Sequence, residues 1–147
     1  RFLTTYALQE YFLPVGNFVR FAQRMAGILR EHEVNVLNVS LRHTPADEMT
    51  LMRWAPAETF CFVLYYKQGA NALAQRTVQG WTRALIDAAL ELGGRYYLPY
   101  QLHATTAQFR RAYPEHERFA AIKAELDPNN RLRNKLWEKY LPAAAGG

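Results

Sequence analysis

The chain carries the stretch VNVLNVSLRH at residues 34–43, and its alternating side chains decide the fold prediction. From 37 to 42 its odd positions are apolar and its even positions are polar: Leu37, Val39 and Leu41 against Asn38, Ser40 and Arg42. A strand points successive side chains to opposite faces, so the apolar set predicts a face packed on helices. The polar set then lies together on the other face.

Segments on both sides of this strand predict a β-α-β-β-α-β order followed by short helices. The predicted elements are a strand at 5–13, a helix from Asn17, the strand at 34–43, a strand over Thr59–Lys67, a helix over Leu73–Leu92, the aromatic, proline-broken stretch Arg95–His103, and helical pieces at Thr106–Ala112, Pro114–Leu126 and Leu132–Tyr140. The third strand is apolar on both faces and is predicted to be central. Gly93 and Gly94 are expected to stop the second long helix.

This order predicts an α+β fold, a ferredoxin-like antiparallel sheet with two helices on one face plus a C-terminal helical tail. Helices on one face leave the opposite sheet face bare. We therefore expect a ligand or another domain to cover it.

Composition excludes several classes of protein. The longest apolar run, Phe60–Tyr66, is far shorter than the roughly 20 residues that cross a bilayer, which predicts no membrane span. Lone Cys61 cannot form an internal disulfide and is expected to be a small buried hydrophobe. Four scattered histidines predict no metal site, and the dispersed basic residues predict no nucleic-acid partner.

The chain begins at Arg1 and shows no signal-peptide pattern. We therefore expect a piece of a longer, cytoplasmic protein.

The polar row at 38, 40 and 42 has two interpretations. The plainer one is a solvated strand face. The other is a binding array, because a guanidinium offers forked donors and an asparagine both donates and accepts. Glu10 shares the parity of Leu8 and Phe12 in the first strand and is expected to join the row from a neighbouring strand.

Several motifs carry a family resemblance. They are ELGGRYYLPY at 91–100, TTAQF at 105–109, Tyr113-Pro114, KAELDP at 123–128 and Arg133-Asn134, with QEYFLP at 9–14 and LNVSLR at 37–42 upstream. In this order and spacing, the chain resembles the C-terminal part of FAD-linked oxidases of the vanillyl-alcohol-oxidase superfamily. Within that superfamily it resembles the aldonolactone and alditol oxidases and decaprenylphosphoryl-ribose oxidase.

The resemblance implies a division of labour. Residues 1–104 would form a substrate or cap domain, and residues 105–147 a helical tail that packs back on an N-terminal FAD-binding domain. FAD would be bound mainly by that domain, which is absent from this chain. The implied reaction oxidises a CH–OH group of a small sugar, lactone or alditol-like substrate, and the fragment alone is expected to be inactive. The alternative is a stand-alone ferredoxin-like module that binds a ligand or partner without catalysis.

The resemblance also implies roles for individual residues. Glu10 and Asn38 fall on a pocket glutamine and asparagine of decaprenylphosphoryl-ribose oxidases. Arg42 falls on the arginine of the Glu-x-Arg pair of alditol oxidases. In this chain Ser40 stands where those oxidases have the glutamate of the pair. Tyr100 stands where both groups usually have a pocket lysine.

These matches give the expected site. Arg42 would stabilise a developing alkoxide and Tyr100 would place a phenol near the reacting hydroxyl, which makes both catalytic candidates. Four residues are expected to bind substrate: Glu10, Asn38, Ser40 and His103. Asn134 is the cofactor-binding candidate.

Overall fold

The computed structural model describes residues 3–141. Its strands are β1 (Thr4–Pro14), β2 (Val36–Thr44), β3 (Thr59–Gly69) and β4 (Arg95–Tyr96). Its helices are α1 (Phe18–Glu31), α2 (Ala72–Glu91), α3 (Thr106–Ala112), α4 (His116–Leu126) and α5 (Lys135–Tyr140), with a 3-10 turn over Val15–Asn17. Within these residues the strands form an antiparallel sheet in the order β2-β3-β1-β4. The predicted α+β fold and the central position of β3 are confirmed.

The core lies between α1, α2 and one face of the sheet. Register places Tyr11 opposite Phe62, and both side chains point to the helices. The ring centroid of Phe21 lies 5.0 Å from that of Phe62, and Trp81 packs edge-on against Tyr66 at 4.9 Å. The predicted stripe of α2 is buried throughout: Val78, Trp81, Leu85, Ala88, Ala89 and Leu92.

Local signals set both ends of α2. Asn71 caps the start, where its Oδ1 accepts a hydrogen bond from the Ala74 N–H at 2.8 Å. At the other end Gly93 adopts a positive φ of 75°, and the Gly94 N–H donates to the Ala89 carbonyl at 2.8 Å. A Cβ on Gly94 would lie 2.5 Å from the Phe12 carbonyl oxygen, so glycine allows β4 to approach β1.

The fourth strand is shorter than the stretch Arg95–His103 suggested. It pairs with β1 only at Arg95 and Tyr96, and the Tyr97 N–H adds one bond to the Glu10 carbonyl at 2.9 Å. Pro99 follows, and because proline has no N–H, it cannot donate to a continuing ladder.

The apolar side of β2 is less covered than its alternation suggested. Leu41 lies opposite Phe62 on the helix side of the sheet, yet it is 53% exposed. A β-bulge between Val36 and Asn38 interrupts the alternation at Leu37, which is 48% exposed. β2 is an edge strand, and the helices pack over β3, β1 and β4 instead. Of the predicted apolar set, Val39 packs against the core as predicted. The predicted direction of Leu41 is right, but the predicted packing of Leu37 and Leu41 on helices is wrong.

The C-terminal helices share the same core. The Phe109 and Tyr140 rings stack with centroids 4.6 Å apart, and the Tyr113 hydroxyl donates to the Tyr96 carbonyl. Gln108 of α3 donates to the Asp87 carboxylate of α2 at 2.7 Å. The tail thus packs on α2 and β4, and its contact with an FAD domain stays a prediction. None of the helices within residues 3–141 is long and apolar enough to cross a membrane.

Candidate functional site

The sheet face turned away from α1 and α2, here the open face, carries most of the predicted site residues. Register aligns its side chains in three rows across β2, β3 and β1: Asn38–Tyr65–Leu8, Ser40–Val63–Glu10 and Arg42–Cys61–Phe12. Neighbouring strands lie about 4.8 Å apart. Long side chains from β1 and β2 can therefore meet above the small residues of β3.

The polar groups of this face interact with one another. The Asn38 Nδ2 donates to the Ser40 Oγ at 3.0 Å. Partial burial raises the pKa of the Glu10 carboxyl above its ordinary value, and the nearby Arg42 guanidinium opposes part of that rise. Among the ion pairs of the described residues, none involves Arg42, so its guanidinium is available to an anionic or hydroxyl-bearing ligand.

An aromatic wall covers one end of the open face. The connection at 45–58 folds back so that the Trp54 ring lies 5.9 Å from Phe12 and 5.8 Å from Tyr97, and Tyr97 lies 5.3 Å from Tyr100. The expectation of a bare face is therefore wrong at this end, where part of the chain itself provides the cover. The rows that contain Glu10 and Asn38 remain open.

Tyr100 completes the group around Glu10 and Arg42. Burial raises the pKa of its phenol, the Glu10 and Tyr97 side chains raise it further, and Arg42 opposes the rise. The phenol thus stands within electrostatic reach of both charged residues. Beneath them Cys61 is buried, and desolvation, with the Glu10 charge, raises the pKa of its thiol to about 11. Cys61 is protonated at neutral pH and packs as a small apolar side chain.

Arg95 anchors the wall, and sequence reasoning did not single it out. Its buried guanidinium donates to the Arg53 carbonyl at 2.7 Å and to both carboxylate oxygens of Glu115 at 3.1 Å. It therefore ties the 45–58 connection and the start of α4 to the sheet. Two features of the sequence could have indicated this anchor. Arg95 directly follows the Gly93-Gly94 helix stop, and Trp54 is a large apolar residue in a mostly polar connection.

Two predicted site residues lie elsewhere. His103 is buried, its Nε2 lies 2.7 Å from the Gln101 Oε1, and burial with the Lys139 and Arg83 charges lowers its pKa to about 4. Asn134 caps α5 by accepting the Trp137 N–H at 2.8 Å. Both residues line a groove of about 680 Å³ that has Tyr100 at one side. The structure brings them together with Tyr100 but not onto the rows of Glu10 and Arg42.

Within the part of the chain that the structure describes, histidine, cysteine and acidic side chains do not converge as a metal site would require. Within residues 3–141, no group of three or more of these residues is placed to hold a metal ion.

Fold and motifs together define a class of protein, the C-terminal domain of FAD-linked oxidases. A family model described as D-arabinono-1,4-lactone oxidase matches residues 2–140, and the chain belongs to this family. The resemblance inferred from the motifs is thereby confirmed. The chain is an aldonolactone oxidoreductase-type domain of a family whose oxidases in general depend on FAD.

Curated relatives agree with this assignment. The L-gulono-1,4-lactone dehydrogenases of Mycobacterium tuberculosis strains CDC 1551 / Oshkosh and ATCC 25618 / H37Rv are each 23% identical to the chain over 133 residues. The alignment covers 90% of this chain and 30% of each relative. The chain thus spans about 30% of the length of these relatives.

Proposed function

We propose that this chain is the substrate-binding part of an FAD-dependent oxidoreductase, and that the open face binds the substrate. The reaction oxidises a CH–OH group of an aldonolactone or a related sugar or alditol. The observation that carries the proposal is the convergence of Glu10, Arg42 and Tyr100 on one sheet face in a chain of the lactone oxidase family. The names of the relatives, lactone oxidase and lactone dehydrogenase, support the substrate class.

The residues present fit the substrate side of such a site rather than the phosphates of FAD. A glycine-lined loop is the usual phosphate cradle. Gly93 and Gly94 instead pack on the end of β1, where a Cβ would approach Pro14 or Phe12. When bound, FAD would supply the hydride acceptor, and a preceding domain would hold most of it. Asn134 stays the candidate contact from this chain, since capping α5 uses its Oδ1 and leaves its Nδ2 as a donor.

The side chains of the open face would accept the hydroxyl proton, stabilise charge and orient the substrate. Removing a hydride from carbon requires that the hydroxyl proton also leave. A carboxylate with a raised pKa is a better proton acceptor, which suits Glu10 to receive it. Arg42 would stabilise the negative charge that develops on the oxygen, and Tyr100 would orient that oxygen through a hydrogen bond. Asn38 and Ser40 would bind neighbouring hydroxyl groups, because both can donate and accept.

The test measures flavin reduction in the FAD-containing enzyme that includes this chain. Stopped-flow absorbance monitors the reduction by L-gulono-1,4-lactone and by D-arabinono-1,4-lactone. If Arg42 acts on charge that develops during hydride transfer, Arg42→Ala lowers kcat and kcat/KM together by about 10²–10³. Arg20→Ala is the matched control, because Arg20 is exposed on α1, on the other side of the sheet.

Two results would count against this site. Wild-type reduction rates in both Arg42→Ala and Tyr100→Phe would remove it from consideration. A rise in KM alone would make Arg42 a docking residue without a part in the chemistry.

A separate experiment tests whether FAD is held mainly by a domain outside this chain. Purified as the 147-residue chain and mixed with excess FAD, the protein should leave a desalting column without stoichiometric flavin absorbance. A stoichiometric yellow complex would show that these residues alone hold the cofactor.

A further inference from the structure

The arginine at the start of β4 holds three separate segments together. The Arg95 guanidinium donates to both carboxylate oxygens of Glu115 and to the Arg53 carbonyl, although the residue is only 9% exposed. The other hydrogen bonds of the 45–58 connection, among residues 3–141, lie within it or at its two ends. The bond from Arg95 therefore fixes where this connection rests on the open face.

Aromatic contacts lead from this bond to the proposed site. Trp54 directly follows Arg53, and its ring centroid lies 5.8 Å from that of Tyr97. The Tyr97 ring in turn lies edge-on to Tyr100 at 5.3 Å. β4 ends at Tyr96, and within residues 3–141 no side-chain hydrogen bond holds the Tyr100 phenol. The position of this phenol therefore depends on ring packing rather than on strand pairing.

We propose that Arg95 is a positioning residue that acts through Trp54 to hold the Tyr100 phenol in the substrate site. The inference rests on the proposed function, because it gives Tyr100 a substrate oxygen to orient. Arginine suits this position, since its planar fork binds a carboxylate through two parallel hydrogen bonds and so fixes direction as well as distance. A displacement of about 1 Å caused away from the reacting atoms can lower a rate about 10²-fold.

The kinetic test weakens the pairing of Arg95 with Glu115 without emptying the space between them. Glu115→Gln keeps the shape of the side chain but loses one of the two acceptors of the bidentate pair. In the FAD-containing enzyme that includes this chain, kcat for flavin reduction by L-gulono-1,4-lactone should fall about tenfold with a much smaller change in KM. Glu117→Gln is the matched control, because Glu117 is exposed in the first turn of the same helix, and it should leave both constants unchanged.

A double-mutant cycle separates positioning from a general structural defect. If Glu115→Gln acts by displacing the phenol, it should lower kcat by less than about twofold once Tyr100→Phe has removed the hydroxyl. An equal loss in both backgrounds would show that the effect does not pass through Tyr100 and would overturn the inference. Trp54→Ala should behave like Glu115→Gln, whereas Trp54→Phe, which keeps a ring beside Tyr97, should retain most of the rate.

NMR of the 147-residue chain tests the geometry without catalysis. Glu115→Gln and Trp54→Ala should each shift the ring resonances of Tyr100, which Tyr100→Phe assigns, because the neighbouring ring of Tyr97 moves. Glu117→Gln should leave these resonances in place.

The two inferences fail separately. Unchanged Tyr100 resonances in both variants would overturn the positioning role, as would a wild-type kcat in Glu115→Gln when Tyr100→Phe is slow. A wild-type kcat in Tyr100→Phe would instead remove Tyr100 from the proposed reaction, and shifted resonances would then still support Arg95 as the residue that places this ring.

Discussion

Gln9 and Glu10 are neighbours in β1 but point to opposite faces of the sheet. Gln9 is buried under α2, where its Nε2 donates to the Tyr66 hydroxyl at 3.1 Å and to the Thr82 Oγ1 at 2.6 Å. Its Oε1 accepts from the Tyr11 hydroxyl at 2.5 Å. Glu10 is half-buried on the open face with a raised pKa, and no side-chain hydrogen bond joins it to another residue of the 3–141 range.

The difference separates structural polar groups from those available to a ligand. A buried polar group that finds its partners inside the protein fixes strand register and packing. Polar groups gathered on a partly desolvated surface without internal partners keep their bonding capacity for something else. At this point of β1 the sheet therefore carries a self-contained polar group, Gln9, on one face and a receptive one, Glu10, on the other.

The largest expected effect lies on the helix-covered face. Trp81 is buried in the core against Tyr66, so Trp81→Ala should lower the free energy of unfolding by about 3–5 kcal/mol. Chemical denaturation measures this loss. Leu73→Ala, at an exposed position of the same helix, is the control and should cost far less. A loss below about 1 kcal/mol for Trp81→Ala would mean that this face is not the core.

Features with local causes could be predicted from the sequence. The alternation gives the direction of the β2 side chains from Asn38 to Arg42, beyond the β-bulge that shifts Val36, and the spacing in α2 gives its buried stripe. Gly93 and Gly94 end α2 because a positive φ and a close backbone approach suit glycine there. The shared face of Glu10, Asn38, Ser40 and Arg42 follows from parity once the strand order is known.

Features that depend on distant parts of the chain could not be predicted. Alternation shows where Leu41 points, but the position of α1 decides whether anything covers it, and nothing in the alternation announces the β-bulge at Leu37. The return of Trp54 over Phe12 depends on the Arg95 anchor, which joins residues far apart in sequence. His103 follows a proline-broken segment with no strand periodicity, so no parity argument could place it.

A second prediction sharpens the contrast between the two neighbours in β1. Gln9→Leu keeps the volume but leaves the Tyr11, Tyr66 and Thr82 hydroxyls short of a buried partner. Such a loss should lower the free energy of unfolding by about 1–3 kcal/mol. Glu10→Gln, one residue away, should cause no loss at pH 7, because neutralising a partly desolvated carboxylate removes a penalty. Denaturant titrations of both variants would contradict the contrast if the two losses were equal.

The smallest expected effect is the contribution of Glu10 to the pH dependence of the free energy of unfolding. Because folding raises the pKa of Glu10, the folded state binds more protons than the unfolded state at pH values between the two pKa values. Stability should therefore fall as pH rises from the unfolded pKa through the folded one, and Glu10→Gln should remove this component. Urea titrations across that pH range measure the difference in slope between the two proteins.

NMR titration of the Glu10 side chain tests the same coupling directly. Its pKa should lie above the ordinary glutamate value, since burial disfavours the charged form. Arg42→Ala should raise this pKa further, because it removes the positive charge that now opposes the rise. Arg20→Ala, across the sheet on α1, should leave it unchanged. A Glu10 pKa that does not respond to Arg42→Ala would mean that the two side chains do not meet above β3. The open face would then be two separate exposed charges, and the case for a single substrate site would lose its central observation.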